Sequence, residues 1–497
     1  MKEKFFLAID QGTSSSRAIL YNSELKEIAS HQIEFESTYP NPSWVEQDPD
    51  EIFNSEYKCI TEVLKEIKNK DCEIFAGITN QRETTILWNR NNSQAVYPAI
   101  VWQDMRTAEY CAELKTDYSE LVSEKTGLVL DSYFSASKIK WILDSNREIR
   151  KLAESGELCF GTVDTWLIWK LSGASQHLTD HSNASRTMLF NIHNLDWDQE
   201  LLDLFSIPKP LLPEIKCSQD KYLDFEVDGF RIQLVSVAGD QNASLFGHLC
   251  FDKGEAKNTY GTGCFLLSNT GEEIIKSKHG LLSTVAFTLS NKKVNYALEG
   301  SIFIAGAVIK WLKEQMNFFD NVAESEKLAR LVPDKEMENL YFIPAFAGLG
   351  SPYWDMFARA IFIGMSLETG KNHMVRACLE SLAYQTKDVI QAMEIDSSSK
   401  ITSLSVDGGV AQNEFMLEFL ANILEIEVTK KENLELTAFG IVAMAANHIG
   451  SHSLEDLKRI NKVSRSYISA FDNLRVEKLY SGWNKAISRS KDWLLND

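Results

Sequence analysis

A turn of small polar residues lies between two apolar strands near the start of the chain. In Phe5–Tyr21, FFLAIDQGTSSSRAILY, the first strand is predicted to end at Asp10 and the second to begin at Arg17. Gly12 lets the backbone approach a ligand closely, and Asp10 can hold a hydrated magnesium ion. The residues after Gly12 can present hydroxyl and backbone N–H groups to phosphate oxygens: Thr13, Ser14 and Ser15. The segment predicts a phosphate-binding hairpin suited to a nucleoside triphosphate, with an ordinary polar turn as the alternative.

A second hairpin in the other half of the chain repeats this chemistry. Residues Ala256–Leu267, AKNTYGTGCFLL, place apolar strands on both sides of a turn that contains Thr259, Gly261, Thr262 and Gly263. Two such hairpins predict two related lobes that hold one polyphosphate from opposite sides. A third segment, LSVDGGVAQN at Leu404, runs from a strand through paired glycines into a helix. It predicts backbone that lies against a nucleobase or phosphate, and a plain strand-turn-helix connection is the alternative.

Eight segments, taken in order, resemble the FGGY family of sugar and polyol kinases, and within it the members that act on glycerol. The segments are DQGTSSSR at Asp10, NQRETT at Asn80, VWQDMRT at Val101, SYFSASKIKWIL at Ser132, AGDQNASLFG at Ala238, NTYGTGCF at Asn258, GLGSPYWDMFARA at Gly348 and DGGVAQN at Asp407. The resemblance spans nearly the whole chain. It implies an α/β protein of two actin-like, ribonuclease H-like ATPase domains, each a mixed sheet flanked by helices, with the ligand cleft between them. We expect these domains at 1–248 and 249–497.

The pattern of apolar residues agrees with α/β alternation. In the first half it predicts strands at 4–9, 17–21, 27–35, 73–79 and 84–89 and helices near 49–69, 106–115, 136–145 and 162–171. The junction is expected near 245–253. In the second half it predicts strands near 256–268, 283–288 and 294–299 and helices near 303–316, 322–331, 371–394, 411–424 and 437–449.

The acceptor side of the expected site begins with Arg82 and Glu83 in NQRETT. Adjacent residues on a regular strand point to opposite faces, so both can line one pocket only if the backbone turns there. A surface ion pair is the alternative. The resemblance implies that Arg82 donates to polyol hydroxyls and that Glu83 accepts from them. It also implies that Trp102 and Phe265 form an apolar pocket wall and that Tyr133 adds one hydroxyl, although aromatic residues more often belong to a core.

Asp240 is the expected catalytic residue. It follows the apolar strand Arg231–Ala238 and precedes a helix that begins near Gln241. Phosphoryl transfer needs a base that takes the proton of the acceptor hydroxyl, and an Asp at a strand end over the cleft can serve. Gln241 can hold a second hydroxyl. Asp240 can also cap the following helix, and the two roles are compatible.

The nucleotide contacts follow from the resemblance. It assigns Thr13, Ser14, Ser15 and Arg17 to the phosphates and Thr262 to the β/γ-phosphate region, and it gives the ADP contacts to Gly306, Gly409 and Asn413. Lys310 stands where relatives that act on glycerol commonly carry Gln, which puts this adenosine contact in question. It is included as a nucleotide contact that could reach the ribose or a phosphate, but a solvated helix residue is the preferred interpretation. ATP and Mg²⁺ are the expected cofactors, with Asp10 holding Mg²⁺ through water.

Composition limits the partners. The net charge of −19, with scattered basic residues, argues against nucleic acid. The chain shows no apolar run that predicts a membrane span and no signal peptide before the first strand. Its eight cysteines contain no CxxC pair, so we expect reduced thiols in a cytoplasmic protein. The resemblance implies a homodimer or homotetramer.

Two other functions compete with phosphorylation of glycerol. One is a kinase for another polyol or for a ketopentose such as xylulose, against which NQRETT and VWQDMRT argue. The other is an actin-like ATPase without a small-molecule acceptor, which has no need of an Arg–Glu pair, an aromatic pocket and an Asp over the cleft.

His177 and His181 have the spacing of a helical metal pair, but the segment lacks a neighbouring zincin-type carboxylate, so no metal site is expected there.

Overall fold

The structure is a computed structural model that describes residues 2–68 and 70–494. Within these ranges, no helix combines the length and the apolar character needed to cross a membrane. Two large mixed sheets organise the molecule, one in each half of the chain.

The first half is built on a six-stranded sheet. Its strands are ordered β13-β14-β5-β1-β2-β3, with β1 parallel to β5, β5 parallel to β14 and the other pairs antiparallel. The strands of this half are β1 (Glu3–Gln11), β2 (Ser15–Tyr21), β3 (Glu27–Glu34), β4 (Glu46–Gln47), β5 (Cys72–Asn80), β6 (Ile86–Asn89), β7 (Ala99–Ile100), β8 (Leu158–Gly161), β9 (Leu178–Asp180), β10 (Phe190–Asn191), β11 (Asp196–Trp197), β12 (Glu214–Lys216), β13 (Gln219–Val227) and β14 (Phe230–Gly239). The helices are α1 (Pro49–Leu64), α2 (Ala108–Thr126), α3 (Ser135–Ser145), α4 (Arg147–Glu154), α5 (Val163–Leu171), α6 (His181–Ala184), α7 (Gln199–Phe205) and α8 (Asp240–Gly247).

The second half repeats the plan with a seven-stranded sheet ordered β17-β18-β16-β15-β21-β22-β23. Its strands are β15 (Ala256–Tyr260), β16 (Cys264–Gly271), β17 (Leu282–Thr288), β18 (Val294–Ile302), β19 (Tyr341–Ile343), β20 (Ile361–Ile363), β21 (Ser403–Asp407), β22 (Glu427–Lys431) and β23 (Val463–Tyr467). The helices are α9 (Gly306–Glu314), α10 (Glu324–Arg330), α11 (Lys371–Ser397), α12 (Glu414–Leu424), α13 (Leu436–His448), α14 (Leu454–Ile460) and α15 (Asn473–Ile487). In both sheets an antiparallel hairpin pairs with parallel strands on its other side, as two related lobes require.

Two helices lie between the sheets and join them through one core. α8 belongs to the first half and α13 to the second, and their side chains pack with β1 residues Phe6 and Ala8 and with Leu267 and Phe287 of the second sheet. The opposite face of the first sheet is covered by α1 and α5. The opposite face of the second sheet packs against α11 and α12. A helix from the second half therefore completes the core of the first.

α8 and α13 approach so closely that their contact requires glycine. A Cβ atom on Gly440 would overlap the backbone carbonyl of Ala243, and one on Gly247 would overlap the carbonyl of Leu436. Since α8 begins at Asp240, this packing fixes the position of the expected base.

Most of the predicted elements are present with shifted ends. The helix expected near 106–115 continues to Thr126, and the second strand of the first hairpin begins at Ser15 rather than Arg17. The sequence interpretation placed no element after residue 449, where the structure has α14, β23 and α15.

Candidate functional site

The first hairpin forms a tight turn between β1 and β2. The backbone N–H of Gly12 donates to the carbonyl of Ser15 (2.9 Å), which closes the turn. Gln47 donates to the carbonyl of Thr13 (2.7 Å), and the Trp102 indole N–H donates to its hydroxyl (3.0 Å). Ser14 is exposed. Thr13 is thus fixed from two sides while the turn itself faces outward.

Asp10 and Arg17 face each other across this hairpin as cross-strand partners. Their side chains lie 3.6 Å apart, and Arg17 also forms a 2.6 Å ion pair with Glu435 at the start of α13. Burial raises the pKa of Asp10 to about 6; Arg17 opposes this rise, and Asp240 and Glu435 add to it. Two carboxylates thus flank one guanidinium, and the charge of Asp240 also acts on Asp10, so an additional cation would stabilise this arrangement.

The second hairpin supports the start of α9. Gly306 and Ala305 donate backbone hydrogen bonds to the carbonyls of Gly261 (2.9 Å) and Thr262 (2.8 Å). A Cβ atom on Gly306 would come within 2.6 Å of the Gly261 carbonyl oxygen and 3.3 Å of Val410. Gly306 therefore lies where the second hairpin, α9 and the DGG segment meet.

The DGG segment makes a turn that only glycine adopts readily. Gly408 has a φ of 89°, while a Cβ atom on Gly409 would meet nothing within 4 Å. Asn413 ends the segment as the N-cap of α12: its side-chain oxygen Oδ1 accepts from Met416 N–H, and its side-chain Nδ2 donates to Ser325 Oγ. Backbone at Gly409 is open to a ligand, whereas the Asn413 side chain is already engaged in the protein.

Lys310 points away from these loops into solvent. Its side chain is 71% exposed, with Nζ 3.9 Å from Glu314 on the next turn of α9. The geometry agrees with the solvated alternative rather than with a nucleotide contact.

The backbone turns at Glu83, as a shared pocket for Arg82 and Glu83 requires. Glu83 has a φ of 64°, unusual for a non-glycine residue, and Thr84 N–H donates to the Arg82 carbonyl (2.7 Å). Both side chains are buried. The surface ion pair is therefore excluded.

Two buried residues that the sequence analysis missed complete this charged cluster. Glu299 on β18 accepts two hydrogen bonds from Arg82, at 2.7 Å and 2.9 Å. Arg186 donates from Nε to Glu83 (2.6 Å) and from Nη2 to Glu299 (2.9 Å). The sequence does mark both residues as unusual. Glu299 lies within the apolar segment YALEGSI and Arg186 within NASRTMLF, at positions where an apolar core residue is otherwise expected.

The cluster is electrically balanced. Burial acts to raise the pKa of Glu299, but Arg186 and Arg82 hold it at about 2. Burial likewise raises the pKa of Glu83, with Arg186 and Arg82 opposing the rise. Two guanidinium groups and two carboxylates thus form one network that joins both halves of the chain.

Asp240 lies at the edge of this cluster, at the first position of α8. One carboxylate oxygen is 3.5 Å from Arg82 Nε and also accepts from the backbone N–H of Gln241 (2.7 Å). The side chain of Asp240 is 32% exposed, whereas Arg82 is buried. Asp240 therefore presents its carboxylate to the cleft, while Arg82 and the Gln241 N–H hold one of its two oxygens in place.

The three expected aromatic side chains meet at the same opening. The rings of Trp102 and Tyr133 lie 5.6 Å apart and those of Trp102 and Phe265 lie 6.3 Å apart, in edge-to-face arrangements. Arg186 lies 5.9 Å from the Tyr133 ring centroid. Because Trp102 also contacts Thr13, the aromatic pocket adjoins the first hairpin.

Lys257 is a third residue that sequence reasoning missed. It is fully buried on β15 and donates to Gln241 Oε1 (2.5 Å) and Thr259 Oγ1 (3.0 Å). Because an ammonium group only donates, it holds the amide oxygen of Gln241 and leaves the amide N–H groups free. Its signal was a lysine inside the apolar strand that leads into the second hairpin.

The two histidines of HLTDH have separate partners. His177 Nε2 bonds to the Phe160 carbonyl, and His181 Nδ1 bonds to the Thr288 hydroxyl. Across residues 2–68 and 70–494, no group of three or more His, Cys, Asp or Glu side chains is arranged to hold a metal ion by itself.

Comparison with known proteins identifies the family. Residues 5–247 match the N-terminal domain of the FGGY family of carbohydrate kinases, and residues 256–448 match its C-terminal domain. The chain is 50% identical to the glycerol kinase of Carboxydothermus hydrogenoformans and 49% identical to glycerol kinase 2 of Thermotoga maritima, with 99% of each chain covered.

A solved structure confirms the fold. The glycerol kinase of Plasmodium falciparum with ADP superimposes with a TM-score of 0.93 at 34% identity, covering 100% of this chain and 99% of that one. The predicted fold, two α/β domains with mixed sheets flanked by helices, is confirmed. The chain belongs to the FGGY family of carbohydrate kinases.

Proposed function

We propose that this enzyme transfers the γ-phosphoryl group of ATP to a terminal hydroxyl of glycerol, giving sn-glycerol 3-phosphate. The observation that carries the proposal is the acceptor pocket, in which Asp240 lies 3.5 Å from Arg82 and the rings of Trp102 and Tyr133 lie 5.6 Å apart. A small polyol offers carbon to the aromatic faces and hydroxyls to the polar groups. The relatives named glycerol kinase support the same acceptor.

Asp240 acts as general base in the proposed reaction. As the acceptor oxygen bonds to the γ-phosphorus, its proton passes to the carboxylate of Asp240. The bond between the γ-phosphorus and the bridging oxygen breaks, and its electron pair leaves with ADP. Asp240 then releases the proton to solvent, to which its side chain is open.

The remaining acceptor contacts are assigned by position. Gln241, with its oxygen held by Lys257, can donate to a second hydroxyl. Trp102, Tyr133 and Phe265 exclude water from the carbon chain. Both terminal nitrogens of Arg82 donate to Glu299. Its Nε–H, which faces Asp240, is therefore the donor that Arg82 can offer to the acceptor.

The donor contacts rest on the two hairpins and the DGG turn. Thr13, Ser15 and Arg17 are proposed to bind phosphates from one side and Thr262 from the other, and the open backbone at Gly409 suits the nucleoside. Ser14 is exposed at the hairpin tip and remains a proposed phosphate contact. Asn413, which caps α12, remains a proposed ADP contact, whereas Lys310 faces solvent and is left out of the proposed site.

The surroundings of Asp10 fit Mg²⁺. Besides burial, the negative charges of Asp240 and Glu435 raise the pKa of the Asp10 carboxyl, and the positive charge of Arg17 lowers it. Mg²⁺ commonly binds one or two protein carboxylates, water and substrate phosphates, so a larger set of protein ligands is not needed. When bound, Mg²⁺ would neutralise phosphate charge near the reacting group.

Assembly and location are also proposed. Large apolar side chains are exposed on the second half and support a homodimer or homotetramer: Phe346, Met356, Phe357, Met365 and Leu367. All eight cysteines are free thiols, which supports a reducing, cytoplasmic location where ATP is available.

A coupled assay of ADP release tests the activity. The purified protein is supplied with Mg–ATP and either glycerol, xylulose or no acceptor, and the phosphorylated product is identified by mass spectrometry. Glycerol-dependent ADP release with one glycerol phosphate per ADP is expected. Dependence on xylulose alone would indicate a ketopentose kinase, and equal release without any acceptor would indicate an ATPase; either result overturns the proposal.

A further inference from the structure

Lys257 lies between the acceptor side and the donor side of the cleft. It is on β15, two positions before Thr259 and therefore on the same face, and β15 leads directly into the second hairpin. Its Nζ bonds to Gln241 at the start of α8 and to Thr259. Thr259 Oγ1 also lies 3.3 Å from Ser244 Oγ, which fixes this face of the strand against α8.

The charge of Lys257 is not neutralised by a direct partner. Both hydrogen-bond acceptors of Nζ are neutral, and in the described part of the chain no carboxylate comes within salt-bridge distance. The neighbouring guanidinium groups differ in this respect, because Arg82 and Arg186 are paired with Glu299 and Glu83. A buried cation without a counter-ion is costly unless the functional state brings negative charge to it.

The lysine remains largely protonated near neutral pH. Burial lowers the pKa of Lys257 to about 8, while Asp407 and Asp240 oppose the fall. The negative groups that enter this cleft during turnover are the phosphates of the donor and the phosphoryl group in transit.

We propose that Lys257 supplies positive charge that stabilises the phosphoryl group as it passes between the second hairpin and the acceptor. The lysine keeps its protons throughout: the phosphorus–oxygen bond to ADP breaks, the bond to the acceptor oxygen forms, and the acceptor proton goes to Asp240. Its hydrogen bonds to the uncharged side chains of Gln241 and Thr259 hold the ammonium in place before substrate arrives. A charge that is positioned in advance stabilises the transition state more than the ground state. The inference rests on the proposed phosphoryl transfer.

The test compares Lys257→Met, which keeps the length of the side chain and removes the charge, with Lys257→Arg, which keeps the charge. Removing one preorganised donor of this kind typically lowers kcat by about 100- to 1,000-fold, and we expect a loss of that size in Lys257→Met. Lys257→Arg should recover part of it. Lys387→Met is the matched control, since Lys387 is also buried but donates to the Ile423 carbonyl, away from the cleft.

A binding measurement separates catalysis from structure. Calorimetry with Mg–ADP alone and with Mg–ADP plus aluminium fluoride, which mimics the phosphoryl group in transit, is made on each variant. We expect Lys257→Met to keep its affinity for ADP and to lose about tenfold or more of the extra affinity gained with aluminium fluoride. Equal weakening of both complexes would show a structural role and overturn the inference, as would a kcat within about threefold of wild type.

The assays use whichever acceptor the wild-type enzyme phosphorylates. If wild type prefers another acceptor to glycerol, the proposed substrate fails while the Lys257 comparison still gives a result. If glycerol is confirmed and Lys257→Met retains full kcat, only the inference about Lys257 fails.

Discussion

Asp240 reaches the cleft from the first turn of a helix whose other end is packed against α13. The Asp240→Asn variant keeps the size of the side chain and its bond to the Gln241 N–H, but an amide cannot take a proton. We expect kcat to fall by about 100- to 10,000-fold with ADP affinity nearly unchanged. Steady-state rates and ADP calorimetry check this, and a kcat above about a tenth of wild type would contradict the general-base assignment.

Glu299 neutralises two buried guanidinium groups, so its removal should destabilise the whole enzyme. In Glu299→Gln, Arg82 and Arg186 share Glu83 as their one buried carboxylate, with the half-buried Asp240 beside Arg82. We expect the free energy of unfolding to fall by about 3–5 kcal/mol at pH 7. Urea unfolding followed by circular dichroism measures it. Glu338→Gln is the control, because Glu338 pairs with Lys478 at the surface and should change stability by less than about 1 kcal/mol.

The same variant should show a defined pH dependence. Despite burial, Arg186 and Arg82 hold the pKa of folded Glu299 at about 2, against about 4.3 for an unfolded Glu. A lowered pKa stabilises the folded state above the unfolded value, and that stabilisation is lost as pH falls toward the folded value. The difference in the free energy of unfolding between wild type and Glu299→Gln should therefore become smaller below about pH 4. A difference that does not change with pH would contradict the lowered pKa of Glu299.

Residue types and order located the expected acceptor residues better than the buried residues that support them. The Asp240–Gln241 pair and the aromatic residues were proposed because their segments match the family; in the structure Asp240 lies beside Arg82 and the three aromatic rings lie together, while their roles stay predictions. Glu299 and Arg186 were missed because a contact between residues a hundred or more positions apart leaves no local pattern. Lys257 was missed although its partners Gln241 and Thr259 are near in sequence, because nothing in the strand pattern marks that contact. Their shared signal, a charge within an apolar segment, identifies a candidate but not its partner.

At the scale of elements, the close contact of α8 with α13 gives a direct test. In Gly440→Ala the new methyl group overlaps the Ala243 carbonyl, so the helices must separate. We expect a loss of about 1–3 kcal/mol of stability and a lower kcat, because α8 carries Asp240. Thermal unfolding and steady-state rates measure the two effects.

The control for this variant is Gly370→Ala. A Cβ atom there meets nothing within 4 Å, so both stability and kcat should remain close to wild type. If Gly440→Ala behaved like Gly370→Ala, the tight helix contact would not hold in solution.

Elements were predictable where a local signal marks them. Small polar turns located both hairpins that are proposed to bind phosphate, and the apolar pattern located most helices. The last helix, α15, was overlooked although its buried positions have helical spacing: Val476, Leu479, Trp483, Ala486 and Ile487. The packing of α13 on the first sheet could not be predicted, since its sequence is apolar on all sides and does not reveal what it covers.

At the scale of the whole molecule, the ion pair between Arg17 and Glu435 connects the halves at the nucleotide side. If Arg17 binds phosphate, it must weaken its 2.6 Å contact with Glu435. Glu435→Gln frees the guanidinium and removes a negative charge, so we expect the KM for ATP to fall by about two- to tenfold with kcat little changed. Initial rates over a range of ATP concentrations test this, and an unchanged or higher KM would show that Arg17 does not exchange partners.

The placement of α13 also governs how the chain folds as it is synthesised. The apolar face of the first sheet that includes Phe6 and Ala8 has α8 but not α13 to cover it until residues 436–448 leave the ribosome. A fragment of residues 1–248 should therefore bind a hydrophobic dye and aggregate, although the family model would make it a domain. Co-expression with residues 249–497 should give a soluble, active pair, because the missing helix then arrives on a separate chain. If the fragment of residues 1–248 were soluble and did not bind the dye, the first half would bury this apolar face without α13, and the inference would be wrong.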